Sequence, residues 1–83
     1  MIVIKPHAES RMSDRRITRN QIHKVLQNPR EIISVRYGRL AAYSEVDKGK
    51  LVVIYEKKDE VIEVVTALWV DEKRLKRLGF TGI

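Results

Sequence analysis

His7, Arg11 and Arg15 recur at every fourth position in the stretch Pro6-His7-Ala8-Glu9-Ser10-Arg11-Met12-Ser13-Asp14-Arg15-Arg16. On a helix this spacing gathers the three on one side, while Ala8 and Met12 fall on the neighbouring side. One side can dock against a core and the other can do chemistry. A histidine flanked by arginines suits a base beside a phosphate clamp, and the chemistry open to such groups can be set out for cleavage of RNA without a metal. In that reaction the ribose 2′-hydroxyl attacks the adjacent phosphorus. A base must take the hydroxyl proton, an acid must protonate the departing 5′-oxygen, and cations must stabilise the phosphorane. His7 fits either proton-transfer role, and the guanidinium groups of Arg11 and Arg15 can each hold two phosphate oxygens. One histidine leaves the second proton-transfer role open. Lys5, Tyr37, Tyr43 and Tyr55 are candidates for it, with Tyr43 or Tyr55 preferred because a mid-strand tyrosine is held rigidly. Thr66 can position a phosphate or orient His7. Lys5, Arg16, Arg19 and Lys24 add contacts to a nucleic-acid backbone.

Every one of these assignments competes with a structural one. His7 and Arg11 can pair with carboxylates as ordinary contacts, and Arg15, Arg16 and Arg19 can form a solvated face. The tyrosines can be sheet residues with wet hydroxyls, and Thr66 a β-favouring residue paired across a sheet. Trp69, the only tryptophan, reads as a core or interface anchor. His23 has no obvious partner and reads as a surface or boundary residue.

The elements that must hold these side chains can be read in order. Met1–Lys5 is a short apolar run, either an edge strand or a lead-in to the first helix. Pro6 suits a first helical turn, where its missing N–H would have no partner. Thr18 and Gln21 form a capping box for a second helix, with Ile17 and Ile22 as a hydrophobic staple. That helix buries Ile22, Val25 and Leu26 and stops at Asn28-Pro29. From Glu31 onward β-branched and aromatic runs predict four strands, about Glu31–Tyr37, Leu40–Val46, Leu51–Lys57 and Val61–Val70. Gly38, Asp47-Lys48-Gly49 and Lys57-Lys58-Asp59-Glu60 make the turns between them. Asp71 caps a last helix over Glu72–Leu78, which Gly79 ends. The expected fold is α+β: two N-terminal helices and a short C-terminal helix packed on one face of a four-stranded antiparallel sheet. Val61–Val70 is apolar almost throughout and is expected where both sheet faces are covered.

Composition bounds the function. Eighty-three residues, 43% of them hydrophobic, make one domain with one modest core and no large buried active-site cavity. No cysteine and only two histidines are present, so neither a metal site nor a cofactor is expected. The apolar runs are too short to cross a bilayer, which leaves a cytoplasmic protein as the expectation. The formal net charge is +6. Residues 1–30 hold seven basic and two acidic side chains, whereas residues 31–70 hold six and seven. Charge concentrated on the helices favours a polyanionic partner, nucleic acid or an acidic protein segment, over a neutral metabolite.

The run His7-Ala8-x-x-Arg11-Met12-x-x-Arg15-Arg16-Ile17-Thr18, followed by Val25-Leu26-x-Asn28-Pro29-x-x-Ile32 and closed by Val64-Val65-Thr66-Ala67, resembles a widespread family of small prokaryotic proteins. It is domain-of-unknown-function family forty-two fifty-eight, grouped with the barnase–EndoU–colicin–RelE-like ribonuclease and toxin fold. The resemblance runs from His7 to about Trp69. It implies a RelE-like toxin fold, metal-independent ribonuclease activity on RNA, and an acidic antitoxin protein as partner. The family's histidine and arginine map onto His7 and Arg11, and Arg15 and Thr66 also match. Arg16 departs from the pattern, since relatives often carry glycine there, and so bears on the geometry of the connection. Two other classes remain open: a nucleic-acid-binding module without catalysis, and an interaction protein whose basic face docks an acidic partner. The exposed edges of a small sheet are compatible with a homodimer.

Overall fold

A computed structural model describes residues 1–82. Strand β1 (Ile2–Ile4) leads into helices α1 (Pro6–Arg15) and α2 (Arg19–Gln27). Strands β2 (Glu31–Ser34), β3 (Leu40–Val46), β4 (Gly49–Lys58) and β5 (Val61–Val70) follow, and helix α3 (Glu72–Leu78) comes last.

The fold is α+β, but its sheet has five strands and is mixed, not four-stranded and antiparallel. The order is β1-β5-β4-β3-β2. The opening run Met1–Lys5 supplies the added strand, with Ile2, Val3 and Ile4 paired in parallel with Ile62, Glu63 and Val64. Of the two readings of this run, edge strand or lead-in, the structure takes the edge strand. The apolar β5 needed cover on its outer edge as well as on its faces, and β1 provides it. The predicted strand Glu31–Tyr37 stops at Ser34, and Arg36–Gly38 forms a single 3₁₀ turn.

The helices do not share one face of the sheet, as expected, but divide between the two. Consecutive positions of β3, β4 and β5 are apolar, so both faces of the sheet are. Ala42, Leu51, Val53 and Ala67 meet α1 and α2 in one cluster with Ala8, Met12, Ile22 and Val25. Tyr43, Val52 and Ala41 meet Leu75 of α3 and Phe80 in the other. Burying side chains of this size contributes about 1.5–3 kcal/mol each, so neither face is left to water where a helix can reach it. Only Asp71 separates β5 from α3, and that short link carries the last helix to the face opposite α1.

The local signals held. Thr18 Oγ1 accepts from the Gln21 amide at 3.2 Å, and Gln21 Oε1 accepts from the Thr18 amide at 2.9 Å, completing the capping box. Asp71 Oδ1 accepts from the Arg74 amide at 2.7 Å and starts α3. Asp47 and Lys48 both take positive φ, 51° and 69°, the two-residue turn that suits the twist of a β3–β4 hairpin. Among the described residues no helix is long and apolar enough to cross a membrane.

Candidate functional site

Helix α1 is anchored by Ala8 and Met12, both buried against the sheet. With about 3.6 residues per turn, Arg15 falls on the same stripe as these two, while His7, Arg11 and Asp14 fall on the adjoining flank. His7 and Arg11 are exposed and, among the described residues, make no hydrogen bond or ion pair. Asp14 is likewise exposed and unpaired. The flank therefore presents an imidazole and a guanidinium one turn apart, both available to a ligand.

Arg15 is placed differently. Its Nη1 donates to the Ala67 carbonyl at 2.8 Å and to Thr66 Oγ1 at 3.2 Å. The cause lies in the sheet. β1 pairs with β5 only as far as Val64, so the rest of that side of β5 has no strand partner. The β4–β5 register also shifts between Ile54 and Tyr55, leaving Val65 as an extra residue just before Thr66. The arginine side chain takes the place of a missing strand. Trp69 completes the joint by donating its indole N–H to the Arg15 carbonyl at 3.0 Å. Thr66, expected near a phosphate or His7, instead accepts from Arg15.

The remaining candidates separate. Tyr43, chosen as a rigid proton donor, is 1% exposed on the α3 side and packs edge-on against Phe80, with ring centroids 5.6 Å apart. It is in the cluster across the sheet from α1, so it is not brought together with His7. Tyr55 is on the α1 side, yet it is buried, and desolvation raises its pKa above the usual phenol value. Tyr37 is on the surface in the β2–β3 connection, 81% exposed. Lys5 lies 3.8 Å from Glu56 and 3.9 Å from Glu63. Arg19 pairs with Glu9, and Lys24 lies 3.9 Å from Asp47. Arg16 is exposed and has no partner among the described residues, and it ends α1 in the left-handed conformation with φ 56°.

One charged cluster escaped the sequence reading. Glu56 stands directly across from Glu63 in the β4–β5 hairpin, a like-charge pair that is unfavourable alone. Lys5 lies near both carboxylates, Arg39 Nε is 3.8 Å from Glu56, and Lys58 is 3.0 Å from Glu63. The hydrogen bond with Lys58, supplemented by the Lys5 charge and opposed by burial, holds the Glu63 carboxyl below its ordinary value. The same bond raises Lys58. The signal was in the hairpin: a two-residue Asp59-Glu60 turn between Lys58 and Val61 sets position 56 against 63.

A family model described as Domain of unknown function (DUF4258) matches residues 4–77. The chain belongs to the DUF4258 family. The matched span contains His7, Arg11, Arg15 and Thr66, and it runs from the end of β1 into α3. The glycine of the resemblance at the position of Arg16 has a physical reason, because this residue has a positive φ that glycine adopts without a Cβ penalty. No curated protein and no solved structure matches the chain.

Proposed function

We propose that this DUF4258 protein is a toxin-type ribonuclease that engages RNA on the exposed flank of α1 and cleaves it without a metal. The observation that carries the reading is the availability of His7 and Arg11. Four of the other basic residues in the first thirty, Lys5, Arg19, Lys24 and Arg30, lie within ion-pair distance of carboxylates, whereas these two have no partner among the described residues and lie one turn apart. His7 takes the proton of the ribose 2′-hydroxyl, and the resulting oxygen bonds to the adjacent phosphorus as the bond to the 5′-oxygen breaks. Arg11 donates to the non-bridging oxygens as charge builds on them. Arg15, fixed by Ala67 and Thr66, holds the helix in register and adds a fixed positive charge beside the flank. The departing 5′-oxygen draws its proton from solvent, since neither Tyr43 nor Tyr55 stands ready to supply it. The products are a 2′,3′-cyclic phosphate and a free 5′-hydroxyl. An acidic antitoxin protein that covers the same flank would silence both groups. A RelE-like toxin fold and a cytoplasmic setting belong to the same reading.

A second reading rests on the missing second acid. With one imidazole and, two turns away, only the Asp14 carboxylate, the flank can bind RNA without cutting it. Purified wild-type and His7→Ala proteins incubated with total RNA in EDTA decide between the two. Cleavage by wild type alone, with cyclic phosphate ends, supports catalysis through His7. Intact RNA in both samples, with affinity lost on Arg11→Ala and kept on His7→Ala, leaves binding alone.

A further inference from the structure

The cations without partners extend beyond α1 onto one end of the sheet. Arg16 follows Arg15, whose carbonyl accepts from the Trp69 indole. The Trp69 ring lies against Gly49, so closely that a Cβ there would stand 2.8 Å from it. Gly49 closes the hairpin turn that carries Lys48, and the next residue, Lys50, pairs across the sheet with Val70. Lys73 and Arg74 lie in the first turn of α3. Contact by contact, Trp69 and the β3–β4 hairpin join the end of α1 to the start of α3. The side chains of Arg16, Lys48, Lys50, Lys73 and Arg74 form no ion pair or hydrogen bond among the described residues. Of the carboxylates near these cations, Glu45, across the β3–β4 pair from Lys50, is engaged by Arg30, Asp47 by Gln21 and Lys24, Asp71 by the Arg74 amide, and Glu72 by Lys76, while Asp14 near the end of α1 has no partner among the described residues.

We infer that this rim is a second phosphate track, along which a single RNA strand bound at α1 continues toward α3. The inference rests on the reading of RNA as the ligand and adds where the strand runs. Two features favour an RNA backbone over an acidic protein. The elements that carry these cations lead from the α1 side of the sheet to the α3 side, a path that a backbone of successive charges can follow. Among the described residues the exposed large apolar side chains, Met1, Val3, Ile32 and Tyr37, lie just before β1, on β1, on β2 and in the β2–β3 connection, none of them on the rim. A protein partner needs apolar anchors at the centre of its contact, whereas phosphates need only cations.

The test is the salt dependence of binding to a labelled, mixed-sequence, single-stranded 20-nucleotide RNA, read by fluorescence anisotropy. Each phosphate contact contributes about 0.7 to the slope of log affinity against log salt for a single strand. Lys48→Gln with Arg74→Gln is expected to shrink the slope by about 1.4. The charge-matched pair Arg36→Gln with Lys57→Gln, at the opposite end of the sheet, is expected to leave it unchanged. Equal losses from the two pairs would mean that net charge alone acts, and would overturn the track. A slope that responds to Arg11→Gln but not to the rim pair overturns the track while sparing the α1 site. No RNA binding by the wild type removes both. A rim pair that weakens binding to polyglutamate but not to RNA replaces the track with a protein-docking surface.

Discussion

Replacing Arg15 with methionine keeps most of the side-chain stem and removes the guanidinium. The deletion costs two hydrogen bonds from Nη1, at 2.8 Å to the Ala67 carbonyl and 3.2 Å to Thr66 Oγ1. Hydrogen bonds from a charged donor contribute about 1.5–3 kcal/mol when desolvated. Arg15 is half-buried, so about 1 kcal/mol for each is the appropriate share. The sum, about 2 kcal/mol, lowers the melting temperature of a domain this size by roughly 8–16 °C. Thr66→Val removes the weaker bond alone and costs about 1 kcal/mol. In the Arg15→Met background the same change costs much less, giving a coupling energy of about 0.5–1 kcal/mol in a urea double-mutant cycle. Because the proposed role of Arg15 is to hold α1 on the sheet, RNA affinity at low temperature falls less in Arg15→Met than in Arg11→Met. A cost below about 0.5 kcal/mol with no coupling to Thr66 would refute the docked arginine and return it to the ligand-facing surface.

Gly49→Ala drives a Cβ to 2.8 Å and 2.9 Å from two indole carbons of Trp69, and it is expected to destabilise by about 1–3 kcal/mol. As Trp69 is the only tryptophan, its fluorescence reports the displacement directly, as a red shift. Arg16→Gly relieves a positive φ worth about 1 kcal/mol but frees the unfolded chain by roughly half as much. A small net gain in urea midpoint is expected, with the RNA salt slope reduced by about 0.7. The Lys58–Glu63 bond lowers the folded pKa of Glu63 and raises that of Lys58. The Glu63 contribution is therefore present above its unfolded pKa and lost as pH falls through the folded value. The Lys58 contribution is present below its unfolded pKa and lost as pH rises through the folded one. Lys58→Met flattens both limbs of the stability profile, and the Glu63 titration followed by NMR moves upward.

The features legible in the sequence were those that nearest neighbours in the chain decide. The capping box at Thr18 and Gln21, the Asp71 cap and the Asp47-Lys48 turn each complete their hydrogen bonds or dihedrals within a few residues. Their chemistry is therefore present in any short window. The parallel partnership of β1 with β5 joins residues about sixty positions apart through three apolar side chains, and no local pattern encodes it. The split of the helices between two faces was legible in principle, because β3 to β5 are apolar at consecutive positions, not alternate ones. Helical spacing correctly grouped His7 with Arg11. It could not reveal that Arg15 turns inward, because that depends on where β1 stops and on the register shift beside Thr66. Tyr43 was assigned to the site by its strand position, but the parity of that position relative to Ala42 sends its ring to the other face.

The charge of the first thirty residues looks like a uniform basic surface until each cation is followed to its neighbour. Lys5 meets carboxylates on β4 and β5, Lys24 and Arg30 meet Asp47 and Glu45 around β3, and Arg19 meets Glu9 on α1. Arg15 is held by a carbonyl and a hydroxyl. Pairing of exposed charges adds little to stability, about 0–1 kcal/mol each, but it changes the field that a ligand meets. Of the arginines and lysines in this segment, only Arg11 and Arg16 are left without partners among the described residues. They lie at opposite sides of the Arg15 joint. The fold thus reduces a charge excess spread over thirty residues to two guanidinium groups flanking a fixed third. On the proposed reading, a strand of RNA docked at His7 is expected to pass Trp69 toward the hairpin instead of spreading over α2.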